Sequence, residues 1–170
     1  MTGKSNELVS NNYFLKPGYV VVPTNPTVIS TVVGSSISVS IYDRKRGVGG
    51  MNHFQFPYIR DRKRTTPQYG NVATLALIRM LLDDGSKTKN LEAQIFGGAY
   101  SCKFCSKNIG IENSMIARKI LTGQRVRIVS EDIGGERGRK IVFNSKSNET
   151  VVIKVEKLRK SDWYPYNPDR

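Results

Sequence analysis

The sequence contains few of the residues that build metal sites, disulfide scaffolds or membrane spans. Its 170 residues include two cysteines and one histidine, too few for a disulfide-dense scaffold or a four-ligand zinc site. No apolar run is long enough to cross a bilayer, and residues 1–12 lack the apolar core of a signal peptide. We therefore expect a cytoplasmic protein that uses no metal or other cofactor and does not insert into membranes.

Acidic residues are also scarce, at 14 against 27 lysines and arginines, for a net charge of +13. Such an excess favours acidic partners, which include nucleic acids, anionic lipids and acidic protein surfaces. The sequence has no ribonucleoprotein aromatic motif, zinc-finger spacing or clear helix-turn-helix, so we do not expect nucleic-acid binding. A solvated basic surface without a specific partner is the alternative explanation of the charge.

The apolar periodicity predicts an α+β domain. Apolar residues at helical spacing predict a helix over residues 71–84 and another over residues 111–121. The apolar residues are Val72, Leu75, Ile78 and Leu82 in the first helix, and Met115, Ile116 and Ile120 in the second. The strands follow one another mainly as hairpins, which favours a mixed or antiparallel sheet sandwich with the helices packed outside. We expect one domain at 16–156, with a flexible arm at 1–15 and a tail at 157–170. The predicted strands cover residues 18–22, 27–33, 36–42, 48–56, 91–96, 126–130, 140–144 and 150–155.

The single histidine and a serine-rich turn mark a place where nucleophilic chemistry is expected. Residues 36–42 alternate hydroxyl and branched apolar side chains, which predicts a strand with one face in the core and one in solvent. Residues 48–56 return as its hairpin partner, so Ser36 and His53 should lie on neighbouring segments. A serine beside a histidine is the minimum for nucleophilic catalysis. A plain strand break and an ordinary core or surface histidine are the alternative.

Two polar loops are further candidates. Residues 57–70 carry the basic cluster Arg60, Arg62, Lys63 and Arg64, and a loop of this length in a compact domain is often functional or mobile. A second loop contains Cys102 and Cys105, which are most simply two loop thiols, with a reversible disulfide as the alternative.

Three groups of motifs share their order and spacing with a known family. The first is VGSSISV from Val33, followed by Tyr42-Asp43, VGGMNHF from Val48, and Pro57. The second is Gly97-Gly98-Ala99 with Asn108-Ile109-Gly110 and Asn113, and the third is Glu131-Asp132 with Gly134-Gly135 and Arg139. From about residue 18 to residue 155, the chain resembles the CheD family of chemoreceptor glutamine deamidases.

The resemblance implies an α/β sandwich with a papain-like cysteine–histidine pair that arose by convergence. The family's cysteine falls on Ser36, its histidine on His53, and a threonine associated with the site on Ser30. Family members hydrolyse glutamine side chains of chemoreceptors, some also hydrolyse receptor methyl esters, and they form complexes with CheC-type phosphatases. We expect the oxyanion to bind backbone N–H groups at Gly34 and Ser35, and the substrate to meet Gly97, Gly98, Arg60 and Arg62.

Ser36 is a departure from the family pattern. A serine hydroxyl is much harder to ionise than a cysteine thiol, and it needs a general base oriented by a third group, often a carboxylate. Asp43 and Asp132 are candidates for that group, although the sequence places neither beside His53. Three explanations stay open: a cysteine-to-serine variant of an active enzyme, a member that binds partners without catalysis, and a working serine amidase.

Overall fold

The computed structural model describes residues 11–103 and 107–158, and these residues form three layers. They contain nine strands and two α-helices. The strands are β1 Asn11–Phe14, β2 Tyr19–Val21, β3 Thr27–Val33, β4 Ile37–Asp43, β5 Val48–Phe54, β6 Leu91–Gly97, β7 Arg127–Ile133, β8 Gly138–Asn144 and β9 Thr150–Val155. The helices are α1 Gly70–Asp83 and α2 Ile109–Gly123, and short 3-10 turns cover Arg62–Arg64 and Thr88–Asn90.

Two mixed sheets form two of the layers. One has four strands in the order β1-β3-β8-β9, and the other has five strands in the order β2-β5-β4-β6-β7. Adjacent strands are antiparallel except for the pairs β1–β3 and β6–β7. The β6–β7 pair is joined through α2, because a parallel pair needs a crossover connection. The predicted α+β class with mixed sheets is confirmed.

The five-stranded sheet is covered on both faces. Its outer face packs against α1 and α2 around apolar side chains such as Ile41 and Leu77. Its inner face packs against the four-stranded sheet around Met51, Phe96 and Phe143. The two helices therefore lie outside the sheets, as the sequence predicts. Neither helix of the described residues is long and apolar enough to cross a membrane.

Strand β4 differs from its predicted half-buried form. Ile37, Val39 and Ile41 face the helices, but Ser38 and Ser40 on the opposite side are also buried. The prediction of a solvent face was wrong. Alternating hydroxyl side chains are typical of a solvent-exposed strand face, but here a second sheet covers them. Small hydroxyl groups let that second sheet come close.

The helices begin and end near the predicted residues, but their buried stripes are rotated. Burial on α1 falls on Ala73, Leu77 and Leu81, an i, i+4, i+8 row. On α2, Met115 was expected on the apolar side but is 61% exposed, and the buried row passes instead through residues such as Ala117. Several apolar residues on each helix allow more than one stripe, and the sheet contact selects one.

The proposed N-terminal arm is only partly outside the fold. Residues 11–14 form β1, which pairs with β3, and Leu15 is fully buried, so a flexible arm over 1–15 was wrong for residues 11–15. This edge strand is difficult to predict from the sequence because it begins with two asparagines, and asparagine has a low strand propensity. In the proposed tail, Leu158 packs over Gly138, while residues 1–10 and 159–170 lie outside the described residues.

Candidate active site

Ser36 and His53 lie side by side between the two sheets. Ser36 directly precedes β4, and the register pairs Ser38 with His53 on β5. The hydroxyl at position 36 therefore lies diagonally across from the imidazole and on the same face of the sheet. The distance from Ser36 Oγ to His53 Nε2 is 2.8 Å. Both residues are nearly buried, with 5% and 2% of their surface exposed.

Thr31 of the four-stranded sheet is the third member of this group. Its Oγ1 lies 2.8 Å from His53 Nδ1 and donates a hydrogen bond of 2.8 Å to the carbonyl oxygen of Leu15. A hydroxyl has one hydrogen, so when that hydrogen goes to Leu15, Thr31 must accept from Nδ1–H. The neutral imidazole then has its acceptor nitrogen, Nε2, turned towards the Ser36 hydroxyl, the tautomer that a general base needs.

Ser30, to which the family resemblance assigned the threonine position, does not occupy this place. Side chains on β3 alternate in burial, so those of Ser30 and Thr31 point to opposite faces of the four-stranded sheet. Thr31 faces the five-stranded sheet and Ser30 faces away from it. The family threonine was assigned to Ser30 from its spacing to Ser36 alone. An error of one position in such an assignment exchanges the two faces of a strand.

The turn that carries Ser36 is held by the chain after β6. The carbonyl oxygen of Ser36 accepts from Gly98 N at 2.9 Å, and that of Gly34 accepts from Ala99 N at 2.9 Å. Gly97 has φ +110°, and a Cβ atom there would overlap the carbonyl oxygen of Ser36. Gly97 and Gly98 thus let a backbone segment pack directly against the turn. Their predicted contact with substrate stays a prediction.

Asn113 of α2 is a buried polar residue to which the motif comparison assigned no role. Its Nδ2 donates to the carbonyl oxygens of Ser35, at 3.0 Å, and Gln55, at 2.9 Å. One side chain therefore ties the residue before Ser36 to the end of the segment that carries His53. An asparagine within the buried stripe of an amphipathic helix is the signal that the sequence offered, because buried amides need hydrogen-bond partners.

Neither carboxylate candidate reaches the pair. Asp43 lies opposite Val48 at the far end of the hairpin, five residues along β4 from Ser38, or about 17 Å. Asp132 accepts from Arg139 Nε and Nη2 at 3.1 and 3.0 Å. Burial acts to raise the pKa of Asp43, but the Ser86 hydroxyl, the N–H groups of Arg46 and Lys45, and the Arg46 charge together hold this pKa below its usual value.

The remaining candidates lie apart from the Ser36–His53 pair. Arg60 and Arg62 line a groove beside α1 whose lining does not include either of those two residues. Cys102 is exposed and unbonded, and Cys105 lies outside the described residues.

The arrangement has the parts of a nucleophilic hydrolase. Ser36 supplies a hydroxyl, His53 supplies a basic nitrogen within hydrogen-bond distance, and Thr31 orients the imidazole. The third group is neutral, so it orients the base but gives an imidazolium less electrostatic support than a carboxylate would.

Comparison with known proteins gives consistent matches. The family model described as "CheD chemotactic sensory transduction" matches residues 57–154, a region that begins after His53. A "Probable chemoreceptor glutamine deamidase CheD" of Sulfurimonas denitrificans is 37% identical over 147 residues, which cover 85% of this chain and 94% of the relative. A protein of the same name from Trichlorobacter lovleyi is 38% identical over 142 residues, covering 82% of this chain and 88% of the relative.

Proposed function

The chain belongs to the CheD family, and from this membership we propose that it hydrolyses glutamine side chains of chemoreceptors to glutamate. The observation that carries the proposal is the contact of 2.8 Å between Ser36 Oγ and His53 Nε2, with Thr31 on the other ring nitrogen. The names of the relatives supply the substrate class. The expected setting is the cytoplasm, where the helical signalling domains of chemoreceptors lie.

In the first half of the reaction, Ser36 Oγ attacks the carboxamide carbon while His53 Nε2 takes the hydroxyl proton. Backbone N–H groups of the turn, at Gly34 and Ser35, are the proposed donors to the oxyanion. His53 then passes the proton to the departing nitrogen, ammonia leaves, and an ester joins Ser36 to the substrate.

In the second half, His53 removes a proton from water and the resulting hydroxide attacks the ester carbon. The Ser36 oxygen leaves and regains its proton from His53, so glutamate is released and the site is restored. A receptor methyl ester would react through the same acyl intermediate, with methanol as the leaving group. Methyl ester hydrolysis is therefore part of the proposal.

We expect this chemistry to be slow with serine at position 36. A cysteine thiol has a pKa of about 8.5 that a neighbouring imidazolium can bring below neutrality, whereas a serine hydroxyl stays protonated throughout. The Ser36→Cys variant should convert glutamine to glutamate in a receptor fragment about 100-fold faster or more, since it restores a thiolate nucleophile. Mass spectrometry measures the gain of about one dalton per deamidated glutamine.

Ser36→Ala is the matched control for this comparison. It removes the nucleophile, and we expect no conversion above the uncatalysed rate. Equal rates for the parent chain and the Ser36→Cys variant would contradict the view that serine limits the chemistry. No conversion by the Ser36→Cys variant would contradict the proposed deamidase function itself.

A second candidate function follows from the same residue. A CheD-family chain with serine at the nucleophile position would still present its surface to partners, so it would act as a binding protein for chemoreceptors or for a CheC-type phosphatase. Pull-down with a receptor fragment and with a CheC-type phosphatase, measured beside the mass shift, separates the two. Binding without conversion by the parent chain favours the binding role.

A further inference from the structure

A groove beside α1 combines positive charge with an apolar floor. It has a volume of about 810 Å³ and lies between the loop that follows β5 and the exposed side of α1. Its lining residues are Tyr58, Ile59, Arg60, Arg62, Thr65, Asn71, Val72, Leu75, Ala76 and Arg79. We infer that this groove, called the arginine groove below, docks an acidic amphipathic helix of the protein substrate.

The loop that forms one wall is fixed in place. The Asn71 side chain accepts from Ile59 N at 3.1 Å and donates to Ile59 O at 3.0 Å. Gly70 N donates to Phe56 O at 2.7 Å, which closes the base of the loop, and the rings of Phe56 and Tyr69 lie 5.1 Å apart. The groove is therefore formed before a ligand arrives, which lowers the entropy cost of binding.

The arginines of the groove form no ion pairs with the described residues. Within residues 11–103 and 107–158, no carboxylate lies within 4.0 Å of the guanidinium groups of Arg60, Arg62 or Arg79. Of the other eight described arginines, six have such partners and Arg64 and Arg125 do not; the six are Arg44, Arg46, Arg118, Arg127, Arg137 and Arg139. Three guanidinium groups around one groove therefore offer charge-assisted hydrogen bonds to carboxylates of a partner.

The floor of the groove distinguishes between acidic ligands. Val72, Leu75 and Ala76 are half-buried along one stripe of α1, and Tyr58 is 52% exposed above them. An amphipathic helix that carries both carboxylates and apolar side chains matches this mixture. A duplex phosphate backbone gains little from an aliphatic floor, because its binding is dominated by charge.

The position of the groove links it to the proposed chemistry, and in this respect the inference rests on the proposed function. Tyr58 follows His53 by five positions along the chain, so their Cα atoms lie within about 18 Å of each other. A helix of about 12 residues has this length. The pair lies between the sheets and the groove lies on the exposed side of α1, so a receptor helix seated in the groove would have to pass the end of β5 to present a glutamine to the Ser36–His53 pair.

The test compares two triple charge reversals with the same change in net charge. The groove variant is Arg60→Glu, Arg62→Glu, Arg79→Glu, and the matched control is Lys87→Glu, Lys89→Glu, Lys119→Glu, three exposed lysines outside the groove. The full chain with Ser36 is titrated into a fluorescein-labelled helical fragment of a chemoreceptor cytoplasmic domain, and anisotropy is read at 50 and 300 mM NaCl. Thermal melts establish that all forms are folded.

We expect the groove variant to bind about 10-fold more weakly or worse at low salt, and the control to lose less than about 3-fold. Leu75→Ser should also weaken binding of the fragment, because it removes part of the apolar floor. Equal loss in both triple variants would overturn the inference in favour of a non-specific charge effect. A labelled random DNA duplex is titrated in the same way. If its binding depends on the groove arginines but not on Leu75, the inference is overturned in favour of phosphate binding.

A kinetic experiment separates this inference from the proposed function. In the Ser36→Cys background, the groove variant should raise KM for the receptor fragment about 10-fold. Its kcat should stay within about 3-fold of the Ser36→Cys value, since the arginines do not touch the reacting atoms. If all forms deamidate the fragment with equal KM, the groove inference fails and the deamidase proposal stands. If no form binds or converts the fragment, the proposed function fails.

Discussion

The two faces of the five-stranded sheet are both buried, yet they are built from different residues. Towards the helices, Ile37, Val39 and Ile41 of β4 join large apolar side chains such as Leu77. Towards the second sheet, the alternate positions Ser38 and Ser40 are small and polar. The first face supplies most of the apolar burial of this sheet. The second leaves room for polar side chains from two sheets to meet.

The polar face is where Ser36, His53 and Thr31 converge. A polar group that is buried without a partner is costly, and here the contacts between these three side chains satisfy one another. Each of the three comes from a different segment, and Thr31 comes from the other sheet. Substitutions of the large helix-facing side chains should therefore change stability, whereas substitutions of Ser36, His53 or Thr31 should change activity.

The largest expected effect tests the helix face. Leu77→Ala removes a fully buried side chain from α1 and should lower the free energy of unfolding by about 3 kcal/mol. Urea unfolding measures the loss, and Met80→Ala, which truncates a 39% exposed side chain of the same helix, should cost less than about 1 kcal/mol. In the Ser36→Cys background, kcat should be unchanged below the melting temperature. A fall in kcat at temperatures where Leu77→Ala is folded would contradict the view that helix-facing residues affect stability alone.

A smaller effect is expected when two buried threonines, Thr31 on the polar face and Thr74 on the helix face, are each replaced by valine. Thr31→Val keeps the shape but removes the hydroxyl that orients His53, so kcat of the Ser36→Cys variant should fall about 10- to 100-fold, or about 1.4–2.8 kcal/mol. Thr31→Ser should restore most of the activity. Thr74 on α1 has a buried Oγ1 with no hydrogen-bond partner in the part of the chain that the structure describes.

Thr74→Val is thus the matched control, and it should leave kcat unchanged and stability equal or slightly higher. The readout specific to orientation is the pH profile of kcat, which should shift for Thr31→Val alone. If the two valine variants lose activity equally, Thr31 has no special effect on the imidazole.

The smallest effect concerns Asp43, which ends the row of helix-facing residues on β4. Its Oδ1 accepts from Lys45 N at 2.9 Å and Arg46 N at 3.0 Å, and these bonds help to hold its pKa below the usual value of an aspartate. A carboxyl group with a lowered folded-state pKa stabilises the protein above its unfolded pKa and loses that contribution as pH falls through the folded value. The stabilising charge is therefore fully present at pH 7.

Asp43→Asn keeps an oxygen at the same place and removes the charge. We expect it to be about 1 kcal/mol less stable than the parent chain at pH 7, with the difference shrinking as pH falls below 3.8. Urea unfolding of both forms between pH 2 and 7 measures the difference. A gap that stays constant over this range would mean that the charge of Asp43 contributes nothing.

Local patterns in the sequence were sufficient for much of the fold. Strand β3 and the hairpin from residue 37 to residue 54 follow from period-two alternation and a turn with glycine at its end. The hairpin register alone brings Ser36 near His53, because both residues belong to one local unit. The parallel pair β6–β7 and the edge strand β1 depend on distant partners, and the sequence pattern revealed neither pairing.

The sequence by itself determined which residues alternate, where the turns occur, and that a hydroxyl and an imidazole would share one hairpin. Only the tertiary structure decided that Thr31 and not Ser30 meets His53, that Asn113 ties the two segments together, and that three arginines surround one groove. The physical reason is the range of the interactions. Backbone propensity and hairpin closure act over a few residues, whereas the choice of face depends on a sheet or helix that packs from elsewhere in the chain.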